Sequence, residues 1–447
     1  MDTIVAIATP TGVGGLAVIR ISGDKAKLIA EQHLEKQLQP RRATFGVFRH
    51  EGREIDEVVA TYFAAPHSYT TDDVVEISCH GSFYVQQAIL SACLSAGARM
   101  AEPGEFTQRA FIGGRLNLSQ AEAVADLIDS TNAASHHLAI SQLRGAYSQR
   151  LQTLRQQFVN LTSLLELELD FSEEDVEFAD RRQLLAIVET LQNECRTLAD
   201  TFQQGNAIKN GVPVAIIGHP NVGKSTLLNA LLGDDRAIVS DTPGTTRDTI
   251  EDTLTIDGIT FRFIDTAGIR QSTDQIENAG IERSYAAAAK AQVVLYLVAA
   301  DAVQSQVEAE LSELAKHIDL TSCHLILLQT KTDTLTPVSL TLPAANSIIP
   351  IAARQGVGID TLKQILAESI GSVAIDSPMV TNQRHYEALR HIAEIMPRIR
   401  ESLQNNTPAD LVVIDIRDAL YHLGTITGEV ASTEVLSNIF HRFCIGK

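Results

Sequence analysis

Lys224 and Ser225 have the side chains and spacing best suited to chemistry, because they end a glycine-rich stretch that begins at Gly218. The apolar run 212–217 before this stretch predicts a buried strand, and the run 227–232 after it predicts a helix. In this GxxxxGK[ST] context, backbone N–H groups surround phosphate oxygens, Lys224 reaches the β- and γ-phosphates, and Ser225 offers its hydroxyl to Mg²⁺. The predicted phosphate-binding residues are Asn221, Val222, Gly223, Lys224, Ser225 and Thr226.

Two later segments have residues suited to the metal and the γ-phosphate. Asp265 follows the apolar strand predicted at 261–264, where its carboxylate can hold the water shell of Mg²⁺, and the Gly268 N–H can meet a γ-phosphate. Thr246 is the predicted second protein ligand of Mg²⁺, beside Ser225. The nucleotide-binding residues predicted in these two segments are Ser240, Asp241, Thr242, Pro243, Gly244, Thr245, Thr246, Asp265, Thr266, Ala267 and Gly268.

A fourth motif, Thr330-Lys331-Thr332-Asp333, indicates guanine rather than adenine. The Asp333 carboxylate can accept hydrogen bonds from N1–H and the 2-amino group of guanine, and Lys331 can cover the ring plane. Adenine lacks both donors, so an ATP complex would leave the carboxylate unpaired at about 1–3 kcal/mol, which disfavours an ATPase. Thr330 stands where such motifs usually have Asn and replaces only part of an amide's hydrogen bonding. Ala352-Ala353 resembles the fifth motif of such proteins, whose backbone N–H faces O6 of guanine.

The means of catalysis is less apparent from these motifs. Ras-like enzymes orient the attacking water with a Gln after the DTAG glycine, whereas this chain has Ile269 there. Asn221 and the carbonyl-rich segment 240–245 can hold a monovalent cation against the phosphates. The alternative for Asn221 is turn chemistry alone.

Composition narrows the class of protein. The 447 residues are 45% hydrophobic and 20% charged with a net charge of −19, which indicates several globular domains and argues against nucleic-acid binding through overall charge. The N-terminus has no basic segment typical of a signal peptide, and the apolar run 291–300 is shorter than the ~20 residues that span a bilayer. We expect a cytoplasmic protein without membrane spans. Reduced thiols are expected because no CxxC pair occurs among Cys79, Cys93, Cys195, Cys323 and Cys444.

The order of predicted elements indicates a multidomain protein of α+β and α/β parts. Strands at 3–8, 16–21, 58–63 and 74–78 and helices at 25–34 and 83–96 predict an α+β domain over 1–117, in which Gly12, Gly14 and Gly15 are interpreted as a turn. The stripe Leu151, Leu154, Phe158, Leu161 and Leu165 predicts helix packing, a further helix is expected at 180–206, and the acidic run 170–175 is expected to be a solvated loop rather than a metal site. We expect a discontinuous helical domain, 118–210 and 375–447, with a P-loop Ras-like GTPase domain inserted at 211–374.

Several short stretches resemble those of the MnmE (TrmE) family of tRNA-modification GTPases. They are Asp2-Thr3-Ile4-Val5-Ala6, Pro103-Gly104-Glu105-Phe106-Thr107, Gln120-Ala121-Glu122-Ala123 and the terminal Cys444-Ile445-Gly446-Lys447. Together with the inserted GTPase motifs, they extend the resemblance over the whole chain.

The resemblance implies a homodimer formed through a tetrahydrofolate-binding N-terminal domain, with 5,10-methylene- or 5-formyl-tetrahydrofolate as donor. It also implies a heterotetramer or larger complex with the FAD-containing MnmG, which installs an aminomethyl or carboxymethylaminomethyl group on C5 of wobble uridine 34 of tRNA. The folate-contacting positions of the family match Arg20, Glu76, Arg115 and Lys447, Arg115 standing where Lys is common. Apart from the resemblance, each of the four is typical of a surface charge.

The resemblance further implies stimulation of hydrolysis by K⁺. The family's K⁺ ligands match Asn221, Ser240, Thr242 and Thr245, and its water-positioning glutamate matches Glu277, which is otherwise typical of an acid at a helix start. Lys224 and Glu277 are thus the expected catalytic groups of hydrolysis. Cys444 is either a thiolate in the modification site or an apolar core residue. The alternative function is a regulatory GTPase of ribosome or RNA assembly, which usually has a basic module that this acidic chain lacks.

Overall fold

The computed structural model describes residues 2–10, 12–170, 181–233, 252–264, 285–320, 323–369, 378–405, 407–441, 443 and 445–446. The chain forms two compact units, described separately below. The first comprises Met1–Asp129, Ala139–Thr197 and Glu387–Lys447, and the second comprises Ser130–Leu138 and Leu198–Tyr386. The predicted boundaries 1–117, 118–210, 211–374 and 375–447 stay a prediction.

The first unit contains a six-stranded sheet of order β3-β4-β5-β2-β1-β6. All neighbours are antiparallel except β1 and β6. Helices α1 and α2 bury their apolar residues against the sheet, with Ile29, Leu34 and Ile89 at 2% exposure or less. The elements are β1 Ile4–Ile7, β2 Gly14–Ser22, α1 Ala26–Leu34, β3 Ala43–His50, β4 Arg53–Phe63, β5 Val74–Gly81, α2 Phe83–Ser95 and β6 Arg99–Met100.

The prediction of a turn at Gly12, Gly14 and Gly15 is wrong for the last two residues. Gly14 and Gly15 lie in β2, where Gly14 is paired with Gly81. The close pairing explains the residue type, because a Cβ on Gly81 would lie 2.5 Å from the Gly14 carbonyl oxygen.

Most of the other helices belong to the first unit. The predicted stripe lies on α6, and its five residues are no more than 1% exposed, which confirms the packing face. The single helix predicted at 180–206 is wrong: α7 ends at Asp200 and α8 begins at Phe202, and the Thr201 hydroxyl donates to the Leu198 carbonyl at the break. The helices of this part of the chain are α3 Glu105–Ile112, α4 Leu118–Asp129, α5 Ala133–Leu143, α6 Ala146–Asp170, α7 Arg181–Asp200 and α8 Phe202–Asn210.

The second unit contains a sheet of order β12-β11-β10-β7-β9-β8, parallel except for the β8–β9 pair. Two apolar clusters cover its faces, as expected for a buried parallel sheet. The strands predicted at 212–217 and 261–264 are confirmed within a few residues, and the apolar run 291–300 contains a further strand, Val293–Ala299. The elements are β7 Val212–Gly218, α9 Lys224–Leu232, β8 Asp252–Ile256, β9 Ile259–Phe263, β10 Val293–Ala299, α10 Gln304–Leu314, β11 His324–Thr330, β12 Ser347–Ile351 and α11 Ile359–Ser369.

Three C-terminal helices complete the described chain, namely α12 Gln383–Gln404, α13 Ala409–Thr427 and α14 Thr433–Phe440. They lie within 375–447, the second segment of the expected helical domain.

Candidate functional site

The loop between β7 and α9 has the backbone that a phosphate-binding loop requires. Gly218 has a φ of 151°, and a Cβ there would lie 2.5 Å from the Leu297 carbonyl oxygen, so a side chain would clash with the neighbouring strand β10. Gly223 has a φ of 112° and caps α9. The first turn of α9 leaves its N–H groups free of intrahelical acceptors, and they carry the positive end of the helix dipole. The predicted strand, turn and helix are therefore confirmed at this loop.

The Lys224 ammonium group lies over the loop. Its Nζ donates to the Gly218 carbonyl at 2.6 Å and to the His219 carbonyl at 3.0 Å. Burial lowers the pKa of Lys224 from its ordinary value of 10.5. An anion against the ammonium would offset that desolvation, because opposite charge favours the protonated form. Phosphate oxygens at the loop would provide that charge.

The remaining loop residues divide by exposure. Val222 is buried at 6% exposure, whereas Asn221 and Ser225 are exposed and Thr226 is half-buried. Asn221 has a φ of 60°, a left-handed conformation that Asn tolerates better than most residues. Ser225 lies in the first turn of α9, where its hydroxyl is accessible to a metal ion.

Thr330 connects the guanine motif to the phosphate loop. Its buried hydroxyl lies 2.7 Å from the Val222 carbonyl oxygen and 3.1 Å from the Val298 carbonyl oxygen. The end of β11 and the phosphate loop are thus adjacent. Because one hydroxyl has one proton and both neighbours are acceptors, Thr330 is committed to holding the loop rather than to a base.

The rest of the motif forms a turn that leaves its two charged side chains accessible. Lys331 has a φ of 63°, and its carbonyl accepts from the N–H groups of Thr334 and Leu335. Lys331 and Asp333 are exposed, and Thr332 is half-buried. Nearby, Ala352 donates its N–H to the Val357 carbonyl. The backbone N–H that the fifth motif is expected to offer to O6 of guanine is therefore that of Ala353, the first residue of a short 3-10 helix.

Removing the Thr330 hydroxyl is expected to weaken guanine-nucleotide binding about fivefold. Thr330→Ala leaves the Val222 and Val298 carbonyls without their side-chain donor, at about 1 kcal/mol. Thr330→Ser keeps the hydroxyl and is the matched control. The measurement is titration with a fluorescent GDP analogue; equal affinity in the alanine and serine variants would contradict this role of the hydroxyl.

Many predicted site residues lie outside the described residues, and their placement stays a prediction. They are Ser240, Asp241, Thr242, Pro243, Gly244, Thr245, Thr246, Asp265, Thr266, Ala267, Gly268, Glu277, Cys444 and Lys447, as are Ile269 and most of the acidic run 170–175.

A second group of predicted residues converges in the first unit. Arg20 on β2 and Glu76 on β5 are register partners, and Arg20 Nε donates to Glu76 Oε1 at 2.9 Å. Arg20 Nη1 also donates to the carbonyl of Gly446, near the C-terminus, at 3.3 Å. Arg20 and Glu76 therefore form a cross-strand ion pair beside Gly446.

Tyr69 joins this group and was missed by the sequence analysis. The guanidinium carbons of Arg20 and Arg115 lie 5.3 Å and 5.1 Å from the centre of its ring. Arg115 donates to the Ser68 carbonyl at 2.6 Å, and the Tyr69 hydroxyl pairs with Thr107 at 2.9 Å. Two cations thus lie near one aromatic ring. The one feature of the local sequence that could have indicated Tyr69 is an aromatic residue in a polar turn, and no recognised motif lies beside it.

Comparison with known proteins bears on the whole chain. Residues 3–115 match the family model described as GTP-binding protein TrmE N-terminus, and residues 118–444 match the model described as MnmE helical domain. A tRNA modification GTPase MnmE of Parabacteroides distasonis is 48% identical over 463 residues, covering 100% of both chains. That of Flavobacterium johnsoniae is 46% identical over 465 residues, covering 100% of this chain and 99% of the relative.

This chain belongs to the MnmE family of tRNA modification GTPases. The resemblance found in its sequence motifs is confirmed, and so is the fold class of an N-terminal α+β domain, a helical domain and a P-loop GTPase domain.

Solved structures similar to part of this MnmE-family chain include Era of Aquifex aeolicus and a FeoB G domain. Aquifex aeolicus Era bound to GDP.AlF4- is 27% identical with a TM-score of 0.27, covering 41% of this chain and 66% of that one. The G domain of the T. maritima FeoB iron transporter is 25% identical with a TM-score of 0.25, covering 35% of this chain and 98% of that one. Among the helices of the described ranges, none has both the length and the apolar character needed to cross a membrane.

Proposed function

We propose that this MnmE-family protein is a K⁺-stimulated GTPase which, with MnmG, carries out the folate-dependent modification of C5 of uridine 34 in tRNA. The observation that carries the nucleotide part is the contact between Thr330 and the Val222 carbonyl. It places the end of the base-recognition strand against the phosphate loop, so one nucleotide can contact both. Family membership supports the tRNA part.

Each part of GTP has residues suited to it. Lys224 and the α9 N-terminus bind the phosphates, and Ser225 with Thr246 holds Mg²⁺. Asp333 accepts from the guanine edge, Lys331 covers the ring, and the Ala353 N–H donates to O6. The Lys224 charge stabilises negative charge that develops on the phosphates during hydrolysis.

Hydrolysis requires a group that positions water and a positive charge near the phosphates. We assign the first role to Glu277, whose carboxylate can act directly or through a second water. K⁺ supplies the charge when it is bound by Asn221, Ser240, Thr242 and Thr245. The exposed, left-handed Asn221 supports this assignment, because its amide oxygen is accessible at the loop.

The folate site is proposed at the Arg20–Glu76 pair. Arg20 and Arg115 offer guanidinium groups to the carboxylates of the folate's glutamate, and Glu76 offers acceptors to the pterin. Tyr69 provides the aromatic surface between them. The carbonyl of Gly446 lies at this site, and its nearness in sequence to Lys447 and Cys444 supports roles for Lys447 in folate binding and for the Cys444 thiolate in the modification.

An apolar surface on the first unit supports the proposed homodimer. Val13, Leu16, Phe83 and Tyr84 are 72–87% exposed. They lie close to one another, because Gly14 pairs with Gly81 and Gln86 donates to the Gly12 carbonyl. Contiguous exposed apolar residues mark interfaces. MnmG, with its FAD, and tRNA complete the proposed assembly in the cytoplasm, where the free thiols of Cys79, Cys93 and Cys195 would stay reduced.

Replacing Arg20 by alanine is expected to weaken binding of 5-formyl-tetrahydrofolate at least tenfold and to abolish modification of uridine 34. The lost charge-assisted hydrogen bond is worth about 1.5–3 kcal/mol. GTP hydrolysis by the variant alone should be unchanged. Binding is measured by calorimetry and modification by mass spectrometry of the nucleosides, with MnmG, GTP, K⁺ and tRNA present.

The matched control is Arg42→Ala, which removes an exposed guanidinium bonded to Gln39 in the same unit. It should bind folate normally. Unchanged folate affinity in the Arg20 variant would contradict the proposed folate site. Wild-type protein that left uridine 34 unmodified would contradict the proposed function.

A further inference from the structure

A cluster of two histidines and one aspartate bridges α12 and α13, away from the predicted nucleotide and folate residues in the sequence. His391 lies on α12, and Asp418 and His422 lie one turn apart on α13. Their ligand atoms all lie within 4.8 Å of one another. His391 Nε2 is 3.6 Å from Asp418 Oδ2, and His422 Nε2 is 3.5 Å from Asp418 Oδ1. Both imidazoles thus direct the same nitrogen toward one carboxylate.

The two nitrogen–oxygen distances are close to those between adjacent ligands of a zinc ion, and the remaining pair of ligand atoms lies within 4.8 Å. Zinc–nitrogen and zinc–oxygen bonds of about 2.0–2.1 Å in a tetrahedron separate neighbouring ligand atoms by about 3.4 Å. A metal ion can therefore enter with small side-chain rotations. Helices α12 and α13 are also joined by the bidentate Arg398–Asp415 ion pair, at 2.7 and 2.9 Å, which lies one turn from Asp418 and two turns from His391. The backbone around the cluster is consequently held on both helices.

A divalent cation satisfies all three side chains at once. The two imidazole rings have centres 4.1 Å apart, so two protonated rings would repel each other. When each neutral ring carries its proton on Nδ1, both Nε2 lone pairs face the carboxylate, so a cation placed between them is coordinated by all three side chains. Within the described part of the chain, the ion pairs of Asp418 are with these two histidines, and no arginine or lysine competes for it.

We propose that His391, Asp418 and His422 form a zinc site that links α12 to α13. Two imidazoles and one carboxylate are ligands that favour Zn²⁺ over Mg²⁺, which prefers oxygen ligands. Three protein ligands leave a fourth position for water. That position is accessible, because the side chains of His391 and Asp418 are 46% and 42% exposed. A bound ion would hold the two helices together, and it would stabilise the C-terminal part of α13 against detachment from α12.

The test is Zn²⁺ binding by the full-length protein, measured by competition with a chromophoric chelator. The wild-type protein should bind one equivalent more tightly than any site in His391→Gln/His422→Gln, and each single variant should lose at least tenfold in affinity. Co²⁺ should give the visible absorption of a tetrahedral ion in the wild type and lose it in the double variant. Zn²⁺, but not Mg²⁺, should raise the unfolding temperature only where the site is intact.

Two variants are matched controls. Asp410→Asn changes an exposed acid in the first turn of the same helix, and His67→Gln removes an exposed histidine elsewhere in the first unit. Both should bind Zn²⁺ as the wild type does. Equal zinc stoichiometry and affinity in the wild type and the folded double variant would overturn the site, whereas GTP hydrolysis and folate binding test the proposed function separately.

Discussion

Asp333→Asn is expected to lower GTP affinity about a hundredfold and to allow xanthosine triphosphate to replace GTP. In the proposed complex, Asp333 accepts from N1–H and from the 2-amino group of guanine, and each hydrogen bond to the charged carboxylate is worth about 1.5–3 kcal/mol. An amide keeps one acceptor for N1–H but turns an amino group toward the base. Xanthine has an oxo group at position 2 and can accept from that amino group, so complementarity is restored.

The preference is measured by competition of GTP, ATP and xanthosine triphosphate against a fluorescent nucleotide. Asp301→Asn, at an exposed carboxylate after β10, is the matched control and should retain GTP preference. ATP should bind poorly in every case. A variant at position 333 that still selects GTP would show that this side chain does not recognise the base.

Replacing K⁺ by Na⁺ is expected to slow GTP hydrolysis by at least about a hundredfold while GTP still binds. In the proposed site, the cation would take the role of an arginine finger, which contributes 10³–10⁵ in rate in other GTPases. Na⁺ is smaller and fits a K⁺-sized set of oxygen ligands poorly. The hydrolysis rate is measured from the release of phosphate, with the ionic strength kept constant. Equal rates in the two salts would contradict the cation site.

Two substitutions at Asn221 separate a cation ligand from turn chemistry. Asn221→Gly keeps the left-handed backbone, whose φ is 60°, but removes the amide oxygen. It should reduce hydrolysis in K⁺ to the Na⁺ rate. Asn221→Asp keeps both an oxygen ligand and tolerance of this conformation, so it should retain stimulation. A glycine variant still stimulated by K⁺ would leave Asn221 with turn chemistry alone.

The second unit could be predicted closely from the sequence. Its strands are apolar on both faces, so they appear as continuous runs such as 212–217 and 291–300. The glycine-rich loop has a fixed spacing, and its geometry follows from Gly218 and Gly223. The direction of the Thr330 hydroxyl could not be predicted, because it depends on the Val222 and Val298 carbonyls, which are distant in sequence.

The first unit was harder to predict. Strand β3 is an edge strand with exposed Phe45 and polar ends, so its apolar pattern is weak and its pairing with β4 defines it. Arg20 and Glu76 are 56 residues apart, and only the antiparallel register of β2 and β5 makes them partners. Tyr69 could not be predicted for the same reason, because only the fold brings it near Arg20 and Arg115, which no local sequence pattern relates.

The most direct test of the account is modification of uridine 34 with the altered-base variant. Wild-type protein or Asp333→Asn is incubated with MnmG, K⁺, a folate donor, tRNA and either GTP or xanthosine triphosphate, and the nucleosides are analysed by mass spectrometry. The proposed function predicts modified uridine with GTP for the wild type and with xanthosine triphosphate for the variant. Modification by the variant with GTP at the wild-type level, or unmodified tRNA in every reaction, would contradict it.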